Sequence, residues 1–183
     1  MVATFSVEQL IADCREALAA PSSDAAIKQI AARAVSRPAN VERALGTPTK
    51  GEIISLYRSS DLTILNVIWA PGMSIYPHDH RMWAVIGLYG GREDNYFFRR
   101  TPKGIERASE KNLETGDAAL LGEKTIHAIT NPLARLTGAI HIYGGDFFAQ
   151  PRSEFDPQTL EERPYDVEKA KRLFLDANRA LTS

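Results

Sequence analysis

The sequence predicts one mainly β domain with helices at both ends. Between about residues 51 and 150, short runs rich in Ile, Val, Leu and aromatic residues alternate with Gly- and Pro-containing turns, a pattern typical of a sandwich or barrel. The flanks, residues 1–50 and 151–183, contain apolar residues at helical spacing. Several predicted strands are apolar on both faces, so we expect these helices to cover the outside of the barrel.

The flanking helices have recognisable starts and stops. Ser6 followed by Gln9 predicts a capping box for a first helix, and Ser23 can cap a second helix that ends before Pro38. Near the end of the chain, Asp166 is a possible cap for a third helix. The apolar stripe of that last helix consists of Val167, Ala170, Leu173, Phe174 and Ala177.

The middle region divides into eight predicted strands separated by turn residues. We interpret the polar run "REDN" at 92–95 as a solvated hairpin turn. The strands are predicted near residues 52–57, 62–70, 82–89, 94–100, 104–109, 117–122, 126–130 and 135–143.

Composition excludes several classes of function. The net charge of −1, without a basic block, argues against nucleic acid or an anionic membrane as partner. No apolar run approaches the ~20 residues that span a bilayer, and the start lacks the pattern of a secretion signal. The single cysteine, Cys14, cannot form an internal disulfide, so we expect a cytoplasmic protein. The oligomeric state stays open.

Three of the four histidines predict a metal site. Side chains alternate along a strand, so His78 and His80 should face one way and Asp79 the other. His127 lies in a second predicted strand and can complete a triangle of imidazoles. Three such ligands leave positions open on a metal, which is typical of catalytic sites. The ligand set suits Fe, Zn, Cu and Ni alike.

The spacing around the first two histidines resembles the cupins, a superfamily of double-stranded β-helix barrels. Their first motif is a Gly, five residues, H-x-H, three or four residues, a Glu, six residues and a Gly. Gly72 and Gly91 occupy the two glycine positions here, but Ala84 stands at the Glu position. The resemblance therefore implies a three-histidine site without the usual acidic ligand.

The second cupin motif is also present in altered form. Gly116, His127 and Asn131 fall at its Gly, His and Asn positions, while Gly122 and Lys124 replace its Pro and second Gly. The two motifs span roughly the middle hundred residues. They imply a cupin jelly-roll barrel in which His78, His80 and His127 hold the metal. Three neutral ligands leave a divalent ion's charge uncompensated, which favours an anionic ligand such as a thiolate or an enolate.

The strand "GAIHIY" resembles the thiol dioxygenase branch of the cupins, which includes cysteine and 3-mercaptopropionate dioxygenases. That branch combines a three-histidine iron with a Ser-x-His-x-Tyr strand. His141 and Tyr143 match the His and the Tyr, and Ala139 replaces the Ser. The resemblance implies that His141 orients Tyr143 and that the Tyr143 hydroxyl donates a hydrogen bond beside the metal. If Ile140 and Ile142 face the helices, Ala139, His141 and Tyr143 face into the barrel.

The same resemblance implies an arginine that binds the substrate carboxylate. Arg58, directly after a Tyr, is one candidate and Arg81, next to His80, is its rival. The implied activity is an iron(II)-dependent oxidation of a small cysteine-like or mercaptocarboxylate thiol by O2 to a sulfinate. Zn, Ni or Mn stay possible as the metal bound.

Two alternatives stay open. A cupin dioxygenase could cleave a carbon–carbon bond in a β-diketone or similar enol, because an enolate satisfies the same charge argument. A cupin could also bind a metal or a small ligand without turnover.

Overall fold

Two antiparallel sheets form a barrel in the computed structural model, which describes residues 4–181. The five-stranded sheet has the order β1-β2-β9-β4-β7, and the six-stranded sheet has the order β11-β10-β3-β8-β5-β6. The strands are β1 Glu52–Arg58, β2 Thr63–Trp69, β3 Ser74–Asp79, β4 Ala84–Gly90, β5 Arg92–Thr101, β6 Gly104–Glu114, β7 Ala118–Leu121, β8 Ile126–Thr130, β9 Thr137–Tyr143, β10 Ser153–Phe155 and β11 Glu162–Pro164. The helices are α1 Val7–Ala17, α2 Ser23–Val35, α3 Pro38–Leu45 and α4 Val167–Arg179.

Pairing between strands distant in the sequence winds the chain into a jelly roll. In one sheet β9 lies between β2 and β4, and in the other β8 lies between β3 and β5. Two consecutive strands, β3 and β4, lie in different sheets, so the chain crosses from one sheet to the other immediately after the H-x-H segment. This architecture confirms the predicted mainly β barrel with helices at both ends.

The five-stranded sheet is apolar on both faces because each face packs against a different layer. Its inner face contributes residues such as Leu65, Ile86 and Ala139 to the barrel interior. Its outer face contributes Ile140 and Ile142 to a second cluster shared with α1 and α2. The prediction that the N-terminal helices cover the barrel is therefore confirmed. The C-terminal helix instead packs at the interior cluster, where Phe174 stacks on Trp69 with 5.6 Å between ring centroids.

Helix caps follow the sequence closely at two of three predicted positions. The Ser6 hydroxyl accepts a hydrogen bond from the Gln9 backbone N–H, and the Asp166 carboxylate accepts one from Lys169. At α2 the N-cap is Ser22, one residue before the predicted Ser23, and it makes no side-chain cap bond. None of the helices within residues 4–181 is long and apolar enough to cross a membrane.

The interpretation of residues 92–95 as a solvated turn is wrong. These residues begin β5, and Glu93 and Asn95 are buried inside the barrel. The turn is displaced to Gly91, whose φ of +86° suits glycine. A polar run normally indicates solvent exposure, but here alternate side chains find hydrogen-bond partners in the interior. The strand expected at His78 is β3, which ends at Asp79, whereas α3, β10 and β11 are elements that were not predicted from the sequence.

Candidate metal centre

Three histidine side chains converge inside the barrel. His78 belongs to β3 and His80 follows it at the strand end, while His127 lies on β8, the antiparallel neighbour of β3. His78 and His127 are direct register partners, which places their rings side by side. All three residues are buried, and one ligand nitrogen from each lies within 4.8 Å of the others. Asp79 points the other way, as predicted, and accepts a hydrogen bond from the Ser153 backbone N–H.

The spacing of the ring nitrogens fits a shared metal ion. The Nε2 atom of His80 lies 3.1 Å from that of His78 and 3.5 Å from that of His127. Neighbouring nitrogens bound to one metal at the usual ~2.1 Å would lie about 3.0 to 3.4 Å apart, depending on coordination geometry. Both separations from His80 are therefore close to those that a common ion requires, and the three ligand nitrogens all lie within 4.8 Å of one another.

Hydrogen bonds on the far side of two rings select the tautomer that can bind a metal. His78 Nδ1 lies 3.0 Å from the Tyr76 carbonyl, which can only accept, so Nδ1 carries the hydrogen. His127 Nδ1 lies 2.8 Å from the Asn95 side-chain oxygen, which also accepts. In both rings the lone pair is then on Nε2, facing the centre.

Burial keeps the three imidazoles uncharged. Loss of solvent lowers the pKa of His78 to about 4. The pKa values of His80 and His127 also fall well below the ordinary value, first through burial and then through repulsion by neighbouring imidazoles. The donor set at neutral pH is therefore three neutral nitrogens, which is the form that binds a cation. Ala84, at the position of the missing acidic ligand, is fully buried in the apolar core.

A histidine–tyrosine pair borders this centre. His141 and Tyr143 lie on the same inward face of β9, and His141 Nδ1 is 3.1 Å from the Tyr143 hydroxyl. The Tyr143 ring meets the His80 ring edge-on at 5.1 Å between centroids. Burial raises the pKa of Tyr143, so its hydroxyl stays protonated and can donate a hydrogen bond. Ile140 and Ile142 face the helices, as the alternation predicts.

The two predicted carboxylate-binding arginines are both held by acidic side chains. Arg58 makes a two-bond contact with Asp146, at 2.8 and 2.9 Å. Arg81 adopts a positive φ of 54° and turns outward, where it donates to Ser153 and lies 3.5 Å from Glu162. Among the contacts within residues 4–181, neither guanidinium reaches the three histidines.

Arg152 is the arginine that the structure places beside the histidines. Its guanidinium lies between the Phe147 and Tyr165 rings, at 4.1 and 4.2 Å from their centroids. The Tyr165 ring in turn contacts His78 at 5.8 Å, and the Phe147 ring contacts His80 at 6.1 Å. The positive charge of Arg152 contributes to the lowered pKa of both histidines.

Arg152 was not predicted as a site residue because residues 151–166 carry no strand signal. β10 nevertheless pairs with β3, with Glu154 opposite His78, and this brings the segment across the histidine cluster. No carboxylate forms an ion pair with Arg152 in the described part of the chain, and its Nε atom is buried without a hydrogen-bond partner. Arg152 Nη1 donates to the Phe147 carbonyl, but no carboxylate of the described residues neutralises the guanidinium, so its charge is available to an anion.

A buried carboxylate completes the surroundings of the centre. Glu93 accepts hydrogen bonds from Trp69 and Asn95, and the Asn95 side-chain oxygen in turn accepts from His127 Nδ1. The sequence does hold a signal for this pair. Glu93 and Asn95 are two residues apart and closely follow the turn at Gly91, so a strand that starts after the turn places both side chains on one face.

Comparisons with known proteins give backbone similarity at low identity. No protein-family model matches the chain. An RmlC-like cupin family protein with a double-stranded β-helix fold, from Methanocaldococcus jannaschii, is 10% identical over 56% of this chain and 86% of that chain, with a TM-score of 0.47. A cupin superfamily protein from Desulfitobacterium hafniense is 17% identical over 56% of this chain and 85% of that chain, with a TM-score of 0.44. An oxalate oxidase in complex with glycolate is 14% identical over 55% of this chain and 53% of that chain, with a TM-score of 0.43.

The sheet order and the histidine cluster together define the class of protein. It has the cupin double-stranded β-helix fold, with helices at both ends, and a centre of three histidines that could hold a metal. The identity of the metal is not fixed by the ligands, because neutral imidazole binds several divalent ions.

Proposed function

We propose that this protein is an iron(II)-dependent thiol dioxygenase that oxidises a small thiol with a carboxylate group to a sulfinate. The observation that carries the proposal is Tyr143, whose ring meets the ring of His80 at the edge of three neutral imidazoles and whose hydroxyl lies 3.1 Å from His141 Nδ1. A metal held by three neutral ligands would keep open coordination positions and an uncompensated charge, which favour an anionic ligand. A hydrogen-bond donor beside it would stabilise the charge of that ligand as it reacts.

The proposed reaction balances without a further reductant. The thiol and one O2 give a sulfinic acid: two sulfur–oxygen bonds form, the oxygen–oxygen bond breaks, and sulfur loses the four electrons that O2 accepts. When bound, iron(II) supplies a centre at which a thiolate and O2 can meet and exchange electrons. His78, His80 and His127 would hold that iron.

The surrounding residues would position the substrate. Tyr143 is kept protonated by burial; without substrate its single O–H hydrogen is directed to His141 Nδ1, and it would turn to the reacting group when substrate binds. Arg152 would hold the carboxylate, because its guanidinium lies next to rings that contact His78 and His80 and has no acidic partner in the described part of the chain. Arg58 and Arg81 remain the two other candidates for that role.

An oxygen electrode tests the proposal on protein loaded with iron(II) under anaerobic conditions. The panel contains 3-mercaptopropionate, cysteine, cysteamine, which lacks the carboxylate, and acetylacetone. We expect one O2 consumed per thiol with a carboxylate, and a product heavier than the thiol by two oxygen atoms. Zinc-loaded protein is the control, because zinc has no redox chemistry.

Two other results would redirect the assignment. Uptake with acetylacetone alone would favour cleavage of a carbon–carbon bond in an enol. No uptake with any compound would favour a cupin that binds a metal or a small ligand without turnover.

A further inference from the structure

Glu93 differs from the other buried carboxylates of the chain in its partners. Within the described residues, buried Asp79, Asp94 and Glu154 each form an ion pair with an Arg or a Lys. Glu93 is fully buried, and its ion-pair contact is to an imidazole, that of His141. An ionised carboxylate without a cationic partner is costly to bury unless hydrogen-bond donors compensate it.

The donors around Glu93 favour its ionised form. Trp69 Nε1 donates to Oε2 at 2.7 Å, and Asn95 Nδ2 donates to Oε1 at 2.9 Å. Burial by itself raises the pKa of Glu93, but the contact with His141 and these two donors outweigh it and leave the pKa below its ordinary value. Glu93 therefore acts as a pure acceptor in the barrel interior.

One series of hydrogen bonds connects Glu93, through Asn95, to His127 of the metal centre. Because Glu93 only accepts, the amide of Asn95 must turn its NH2 group toward Glu93 and its oxygen toward His127. That oxygen lies 2.8 Å from His127 Nδ1 and requires a hydrogen there. The lone pair of the neutral ring is then confined to Nε2, which faces His80 at 3.5 Å.

A second series of contacts connects Glu93, through His141, to Tyr143. His141 Nε2 faces Glu93 Oε2 at 3.4 Å, an electrostatic contact longer than a well-formed hydrogen bond. A carboxylate at that position favours the hydrogen on Nε2 of a neutral ring. His141 Nδ1 is then an acceptor for the Tyr143 hydroxyl, 3.1 Å away.

From these two series of contacts we propose that Glu93 is a positioning residue that sets the tautomers of both His127 and His141. Its carboxylate orders a metal ligand through Asn95 and orders Tyr143 through His141. The importance of this role for metal binding rests on the metal site of the proposed function. The tautomers themselves do not depend on the substrate or on turnover.

Nuclear magnetic resonance of the full chain labelled in its histidine rings tests the inference directly. The chain has four histidines, and all four belong to this network or to the adjoining cluster. In the wild type without added metal at neutral pH, we expect His127 protonated on Nδ1 and His141 on Nε2. The opposite tautomer at either ring would overturn the proposal, whether or not any variant folds.

The Glu93→Gln variant separates orientation from simple packing. Glutamine has nearly the same shape but offers an NH2 group that donates, so it cannot accept from Trp69, Asn95 and His141 together. We expect the two rings to lose their single tautomers and zinc affinity to fall about 10- to 100-fold, the usual effect of removing the partner of a ligating histidine.

The matched control is Asp94→Asn, which removes a neighbouring buried carboxylate on the opposite face of β5, where it pairs with Arg92. We expect this variant to keep the wild-type tautomers and zinc affinity. Wild-type tautomers in Glu93→Gln would overturn the inference. Failure of the wild type to oxidise thiols would count against the proposed function alone, since the tautomers are measured without substrate.

Discussion

His141 Nδ1 and the Tyr143 hydroxyl lie 3.1 Å apart on the inward face of one strand, beside the ring of His80. The pair is buried, so its hydrogen bond is protected from competition by water. This geometry lets one side chain orient the other without either contacting solvent.

Removal of the Tyr143 hydroxyl should slow the reaction without loss of metal. In Tyr143→Phe the ring still packs against Phe147, at 4.4 Å between centroids, but the hydrogen-bond donor is gone. We expect kcat to fall roughly 100-fold, with the iron content unchanged. The control is Tyr89→Phe, which removes a buried hydroxyl bonded to Asn66 on the helix-covered face. Loss of iron in Tyr143→Phe would contradict its role as a donor beside the metal.

Replacement of Arg152 should weaken carboxylate binding selectively. A charge-assisted contact contributes about 1.5 to 3 kcal/mol, so Arg152→Gln should raise KM for 3-mercaptopropionate about 10- to 100-fold. The effect on cysteamine, which has no carboxylate, should be small.

Arg58→Gln and Arg81→Gln are the matched comparisons, because both guanidiniums are already held by acidic residues. We expect KM in these variants to change less than threefold, an order-of-magnitude bound for an exposed ion pair. A selective rise of KM in either one, with none in Arg152→Gln, would assign the carboxylate to that arginine instead.

Stability of the metal-free protein should fall as the pH decreases below about 6.5. The folded state holds the pKa of His78 at about 4, against an ordinary 6.5, so between these values the unfolded chain binds the proton that the folded chain excludes. At pH 5 the proton excluded from His78 lowers the free energy of unfolding by roughly 2 kcal/mol relative to neutral pH. This corresponds to a fall of about 4 to 8 °C in Tm. His80 and His127 act in the same direction.

Calorimetry of the protein at pH 7 and pH 5 measures this effect, with His78→Gln as the comparison. That variant should show a smaller fall of Tm between the two pH values, because its unfolded chain has one fewer imidazole that binds a proton at pH 5. Equal Tm values for the wild type at both pH values would contradict the conclusion that the histidines are buried in the neutral form.

The sequence allowed the histidine cluster and the pair on β9 to be predicted because both depend on short-range alternation. His78 and His80 share a face whatever the rest of the barrel does, and the same holds for His141 and Tyr143. The covering helices were predictable because Ile140 and Ile142 have no other apolar layer to face.

The residues that the sequence did not reveal depend on pairing between distant segments. Arg152 reaches the centre only because β10 pairs with β3, a contact that three residues of strand cannot signal in advance. Glu93 looks like a surface residue until β5 places it opposite His141 of β9. Ala139, at the serine position of the resembled strand, lies in the apolar core, and the acidic group that faces His141 comes from another strand.

The most direct test of the metal centre is metal content, measured on freshly purified wild type and on variants that each remove one histidine. We expect one metal ion per chain in the wild type, loss of that ion in His78→Ala, His80→Ala and His127→Ala, and its retention in His141→Asn. A wild type that binds no divalent metal, or His→Ala variants that keep it, would contradict the proposal that these three imidazoles form a metal centre.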